Sequence, residues 1–506
     1  MTRTLFVADR IRTGTGTKGD AVLVEDGAIV RTGAWREMNG ETTDVVHYAG
    51  CTIVPGFRDA HLHPVGLAAS RTGLDLTDVT DFDQLTDRIR AWAGRLPPHA
   101  AVVGTGLDDE RLAEGRMPAK ADLDAVLSAR PIVVYRHCSH IASANSVALA
   151  RAGIDTTTLD PSGGRIDRTV TGAPTGVLRE TAIGLVTGVL GSDIPGPDAG
   201  RLIETLNGLT RDGITAIDAI VSADSPMWCG TGNELDLLCE AGPAIVPRVA
   251  VYIIASSPNE LRQAAARVEE AGLGFGGWKG FADGSLGGHT ALLSEPYSDR
   301  PDTHGLDRWS PSSMRTMAET ALELGGRAAI HAIGDAAVDR AVALAEDIGA
   351  PVGSIRIEHA SVVDRTTIER MASEGVVASV QPSFVLSDAP FLLRRLGPDR
   401  IRNAYPFRTM MEAGVSLIAG SDAPIEDPRP LAGIAAAMHR GGLQGAESLD
   451  LDAALAIHTA HTLSPGDPAD LVIVEGDITS GDMVPVAVVI EGEVVQDRRW
   501  GATSER

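Results

Sequence analysis

The chain is short of cysteines, of aromatic residues, of basic residues to match its acids, and of long apolar runs. Its four cysteines, Cys51, Cys138, Cys229 and Cys239, are scattered through 506 residues with no Cys-x-x-Cys pair. That argues against a disulfide framework and fits a reducing compartment. Aromatic residues make up only 4%, so composition points to no aromatic-lined pocket. No apolar stretch approaches the roughly 18–20 residues that span a bilayer. The opening segment MTRTLFVADRIRTGTG has no apolar core of a signal peptide. The expectation is a soluble, cytoplasmic protein. Lys and Arg number 44 against 68 Asp and Glu, a formal charge of −24. So acidic a surface repels phosphate backbones and anionic headgroups, which makes nucleic acid and membrane poor partners.

What is present is an alternation. Residues 3–55 read as short strands with an Asp26-Gly27 hairpin signal, and the C-terminal runs ADLVIVEGD and VAVVIEGEVV share that texture, with a turn at Gly492. Neither end alone can bury a face, so one small β unit built from both termini is expected. Between them, apolar strand-like runs alternate with Ala-rich helical stretches, the pattern of parallel α/β architecture. Strand candidates are TIVPGF (52–57), ITAIDAI (214–220), WKGFADG (278–284), RAAIHAIGD (327–335), SIRIEHA (354–360), VVASVQPS (376–383) and VSLIAGSD (415–422). Asp335 and Thr367 are predicted helix N-caps, with Gly349 and Gly375 as C-terminal stops. Eight βα units take about 250 residues, so the span from 50 to 470 requires an insertion. AVVGTG (101–106), PIVVYRH (131–137) and PRVAVYI (247–253) leave more strands than a barrel needs, and the second to fourth barrel strands stay unassigned.

In a strand, residues i and i+2 share a side. His61 and His63, in GFRDAHLHP, therefore point together beyond the end of the first run. Alone, such a pair is either a metal site or a hydrogen-bonding turn. His331, His359 and Asp422 also end strand-like runs, and four histidines with a carboxylate on one rim are costly unless they hold a cation or are individually paired. The set points to a metal. Asp335 reads as a cap, and Asp283, in ADGSLGG, either forms a turn or lines the site.

The motifs PGFRDAHLHP, WKGFADGSLGGHTALLSEPYSD, HAIGD, RIEHA, QPSF and GSDAP, in this order, resemble the amidohydrolase superfamily, and within it amidohydrolase family 3. MPAKADLDAV, RPIVVYRHCSHIASANSVAL and PTGVLRE around Glu180 extend the resemblance over nearly the whole chain. It implies a (β/α)8 TIM barrel over 56–465, an inserted subdomain at roughly 67–205, and a β-sandwich of 1–55 with 466–506. It also implies His61, His63, His331, His359 and Asp422 as metal ligands, for one or two divalent ions, zinc by preference. Lys279 matches a lysine that the family often carries N6-carboxylated between two metals. His140, supported by Asn145, matches a substrate-side histidine. Asp283 and His289 are further substrate-side positions, although His289 stands where the family often has Arg. The segment HTAHTLSPGDPADLVIV looks shortened, so the helix of the barrel-to-sandwich return is expected to be missing.

The chemistry implied is hydrolysis of a C–N bond, of amide or formamide type, in a small molecule. Metal-activated hydroxide attacks a carbonyl, Asp422 acts as general base and then acid, and in a one-metal version His359 bonds the water or the oxyanion. A deaminase using the same hydroxide is one alternative. A catalytically silent barrel with a regulatory or binding role is another, though it predicts a lost ligand and none is missing. The resemblance also implies a homodimer as one assembly state.

Overall fold

The computed structural model describes residues 3–38, 40, 44–223, 234–476 and 483–499. Cys229, residues 41–43 of the strand-rich stretch 3–55 and the last residue of ADLVIVEGD (469–477) lie outside them.

Eight apolar runs pair in parallel in the order in which they occur along the chain: Phe57–Leu62, Ile214–Ser222, Arg248–Ile254, Gly274–Phe281, Arg327–Ala332, Ile355–His359, Val377–Val380 and Ser416–Ala419. They are barrel strands one to eight. Strand one meets the end of strand eight through a parallel bridge from Leu62 to Ala423, which closes the barrel. Buried Asp59 reinforces this seam, accepting hydrogen bonds from His61 N at 3.1 Å and from Ser421 N and Oγ at 2.9 and 2.5 Å. Gly420 is required there, because a Cβ would stand 2.4 Å from His61 N. The strands are buried on both faces, which is why they read as near-continuous apolar runs.

Strands two to four are thus fixed as 214–222, 248–254 and 274–281. Of the surplus runs, 247–253 supplies strand three, while 101–106 and 131–137 belong to a separate sheet in the order Gly164–Arg168, Pro174–Glu180, Ile141–Ala144, Ile132–Arg136, Val102–Leu107, Leu74–Asp75. This sheet and its helices are inserted between strands one and two, with apolar cores of their own.

Both termini build a third sheet, in which Asp44–Pro55 lies between Arg3–Thr13 and Leu471–Glu475. It curls until Ala28 bridges Pro468, enclosing Phe6, Val22, Ile53, Leu471 and Val489. The run TIVPGF therefore does not form one barrel strand. Thr52–Pro55 belongs to the terminal sheet, and the barrel begins at Phe57. Burial on both sides of Gly56 makes the hydrophobic pattern continuous, so periodicity cannot mark the change of sheet.

Two predicted caps shift. Asp364, not Thr367, caps Arg365–Ser373 by accepting from Thr367 N at 2.8 Å. Gly334 occupies the cap position of Asp335–Ile348, while the Asp335 carboxylate accepts from Ser294 N at 2.9 Å. Gly349 ends that helix in the left-handed conformation, as expected. From Ile457 to Leu471 the chain returns to the terminal sheet without a helix. Among the described residues no helix is long and apolar enough to cross a membrane.

Candidate metal centre

The chemistry-bearing side chains gather where the barrel strands end, the face at which sites on this architecture lie. His61 is in strand one, and His63 caps the helix Pro64–Thr72 just after it. Lys279 lies in strand four and His331 in strand five, His359 ends strand six, and Asp422 follows strand eight.

His61, His359 and Asp422 each offer a ligand atom, and these atoms all lie within 4.8 Å of one another. His61 Nε2 and His63 Nε2 are 3.3 and 3.2 Å from Asp422 Oδ1. The His359 ring is 5.1 Å from that of His61 and 4.5 Å from that of His331. Lys279 Nζ is buried and has no hydrogen-bond partner among the described residues; the residue lines the same cavity.

Neighbouring groups fix which ring nitrogens face inward. His61 Nδ1 donates to Glu358 Oε2, and Glu358 is held in turn by the fully buried Arg356. His359 Nδ1 donates to Gln381 Oε1 at 2.7 Å. Both rings then present Nε2 to the centre, the arrangement that orients metal-binding histidines. His331 donates its Nε2 to Gly284 O at 3.0 Å. His359 and Asp422 have φ of 75° and 60°, left-handed values that are uncommon for residues other than glycine. The turn at His359 interrupts strand alternation, which lets consecutive Glu358 and His359 both reach His61.

The electrostatics suit a cation. Burial lowers the His359 imidazole to about 3 and holds those of His331 and His63 below their ordinary value, leaving them neutral, the form that ligates. Burial alone would raise Asp422, but His61 and His63 outweigh it and keep the carboxylate charged. Burial and Lys279 push His61 down, yet Glu358 and Asp422 overcome both and raise it. Desolvation brings the Lys279 ammonium down to about 8 against the pull of Glu358 and Asp422. A buried, unpartnered amine beside imidazoles and a carboxylate is what a metal ligand set looks like without its ion. The residues present fit a divalent cation.

Beside the cluster, with its ring 5.3 Å from that of His331, His140 Nδ1 donates to Glu180 Oε2 at 2.8 Å, and Arg308 Nη1 reaches the same oxygen at 3.1 Å. Burial opposes the imidazolium, but Glu180 raises His140 to about 9. Asn145 does not support His140. It caps Ser146–Arg151, accepting from Ala148 N, and bonds Ile132 N and Arg130 O. Asp283 is fully buried and accepts from Leu292 N, Ile333 N and Gly334 N at 2.8, 3.0 and 2.8 Å. It ties the loop after strand four to the end of strand five, 3.5 Å behind His331 Nε2, and does not line the cavity. His289 pairs with Asp299 at 3.1 Å and faces a separate groove.

The cavity holds about 380 Å³ and is lined both by the metal-type cluster and by residues of the inserted domain. Sequence reasoning missed Glu358, Arg356, Gln381 and Arg308. Gln381, in QPSF, is the one with a legible signal, since it follows strand seven on the rim that carries the ligands.

An eight-stranded parallel barrel with histidines and an aspartate converging at its C-terminal rim defines the metal-dependent hydrolase class of barrels. The model of the amidohydrolase family matches residues 44–496, so the chain belongs to that family, in the family 3 branch. It is 32% identical to YtcJ of Bacillus subtilis over 84% of this chain and 81% of that protein. It is 28% identical to the N-substituted formamide deformylase of Arthrobacter pascens, over 93% and 89%. Among solved structures, an uncharacterized metal-dependent hydrolase from Pyrococcus furiosus shares 27% identity with a TM-score of 0.71, covering 94% of this chain and all of that one. The protein is a hydrolase.

Proposed function

We propose that this hydrolase cleaves a C–N bond of amide or formamide type in a small molecule, within the cytoplasm. The observation that carries the reading is the convergence of His61, His359 and Asp422, two of them oriented by Glu358 and Gln381, in one cavity with an unpartnered Lys279. The named activity of the Arthrobacter pascens relative supports the choice of bond. His61, His63, His331, His359 and Asp422 would hold a divalent ion, zinc by preference for this donor set, with N6-carboxylated Lys279 completing a two-ion form. Such an ion supplies Lewis acidity toward a water and a carbonyl.

The chain supplies the rest. Asp422 takes the proton of the attacking water and passes it to the leaving nitrogen, so that the C–N bond breaks to a carboxylic acid and an amine. His140, held by Glu180, donates to the carbonyl oxygen as negative charge grows there. Carboxylation of Lys279 adds CO2 to the neutral amine and releases a proton, and burial favours the neutral amine.

The test is metal content by elemental analysis, on wild type and on His61→Ala/His63→Ala, with amides and formamides assayed for acid release. The expected result is bound divalent metal that the double variant lacks, together with acid release. Absence of metal from protein supplied with it, or ammonia release from heterocycles alone, refutes the reading.

A further inference from the structure

The helix Thr181–Leu190 contributes to the lining of the cavity that also holds the metal-type cluster. Thr181, Gly184 and Gly188 follow one another at three- and four-residue spacing, so they share a face, and all three line the cavity. Glycine in a helix interior is unfavourable relative to alanine, because it loses more conformational freedom on folding. Close packing against another element commonly justifies it. Here it does not: among the described residues, a Cβ at Gly184 or at Gly188 meets nothing within 4 Å. The space those Cβ atoms would take opens on the cavity. Lys279 Nζ, buried and without a hydrogen bond, lines the same cavity and marks it as one built for an occupant that reaches the metal centre. Ile183, Ile254, Phe281 and Tyr135 give the cavity apolar lining, with Thr181 and Thr187 as polar neighbours on the same helix.

We propose that Gly184 and Gly188 form the seat of a ring-sized apolar substituent of the substrate, and so set the upper limit of substrate size. The inference rests on the hydrolase reading above for the bond, and on the cavity alone for the seat. A neutral ring lies flat on the bare helix backbone between the two glycines, with Ile254 and Phe281 beside it. Its polar amide is thereby directed at the metal centre.

The experiment compares kcat/KM for N-cyclohexylformamide and N-methylformamide in metal-supplied wild type, Gly184→Leu and Gly188→Ala. The ratio of bulky to small substrate is expected to fall at least about tenfold in Gly184→Leu and about threefold in Gly188→Ala. Tm should hold or rise in Gly188→Ala, since alanine favours the helix. A ratio within about twofold of wild type in both variants overturns the proposal. So does a fall in Tm in both, which would show that the chain itself needs the space. Should wild type hydrolyse neither amide, the bond assignment fails while the seat is still judged by saturation-transfer NMR with cyclohexanol. Ring signals in wild type that Gly184→Leu loses sustain the seat, and equal signals, or none in wild type, overturn it.

Discussion

Gln381 offers the sharpest test of His359 as a ligand. Its side chain is buried, accepts from His359 Nδ1 at 2.7 Å, and donates to Ser379 O at 3.2 Å. Gln381→Leu keeps the volume and removes both bonds. A buried donor left unmatched costs about 1–3 kcal/mol. With Nδ1–H unmatched, the His359 tautomer that presents Nε2 is no longer enforced, so most of that cost falls on metal binding. At about 1.4 kcal/mol per decade, the ion should bind roughly 10–100-fold more weakly, in line with the usual effect of losing an orienting partner. The assay is chelator competition on zinc-reloaded protein, paired with thermal unfolding of the metal-free form. Gln381→Glu, which keeps an acceptor, should recover most of the affinity. Zinc affinity within about twofold of wild type in Gln381→Leu would refute the argument that Gln381 fixes His359 for the ion.

Three further outcomes are expected. Lys279→Met removes a buried ammonium that makes no hydrogen bond, so the metal-free protein should gain about 1–3 kcal/mol in thermal unfolding; intact mass under native conditions should show the loss of a CO2 adduct, with a lower metal stoichiometry. Glu180→Gln weakens the charge-assisted hold on His140 and leaves Arg308 without its carboxylate, so kcat should fall about 10–100-fold with little change in metal content. For pH, burial raises Asp388 to about 6 even though Tyr405 donates to it and Arg136 and Arg395 pull it down, and nearby Glu426 is raised to about 7. A carboxyl whose folded pKa lies above its unfolded value penalises the fold once ionised. The penalty therefore grows as pH rises from about 4 through 6 and is absent in acid. Asp388→Asn should flatten that part of the Tm profile between about pH 4 and 6, and an unchanged profile would refute the assignment.

The sequence made the rim legible because strand alternation and strand ends are local properties: HLH, the final histidine of RIEH and the aspartate of GSD could be placed without the fold. What stayed hidden depended on contacts between distant segments. Val102–Leu107 and Ile132–Arg136 are as apolar as barrel strands, and only their partners assign them to the inserted sheet. Glu358 lies beside His359 in a pattern that sends neighbours to opposite faces, until the positive φ at His359 turns both inward. The place expected of Asn145 beside His140 is taken by Glu180 for a similar reason, since an N-capping asparagine and a polar neighbour of His140 look alike until the helix start is known.

The order of barrel strands along the chain has a consequence for how the protein is made. His61 and Asp422 are separated by 422 − 61 = 361 residues. At about 5–20 residues per second, a ribosome needs of order twenty to seventy seconds to deliver the second after the first. Throughout that interval strand one has no neighbour on its Asp422 side, and Asp44–Pro55, just before it, has an open edge that only Leu471–Glu475 will cover. The last quarter of the polypeptide thus acts as a double latch. It carries first the barrel seam and then the closing strand of the terminal sheet, and an ion finds the full ligand set only once Asp422 has been made, so a shorter nascent chain carries no assembled centre to be misloaded.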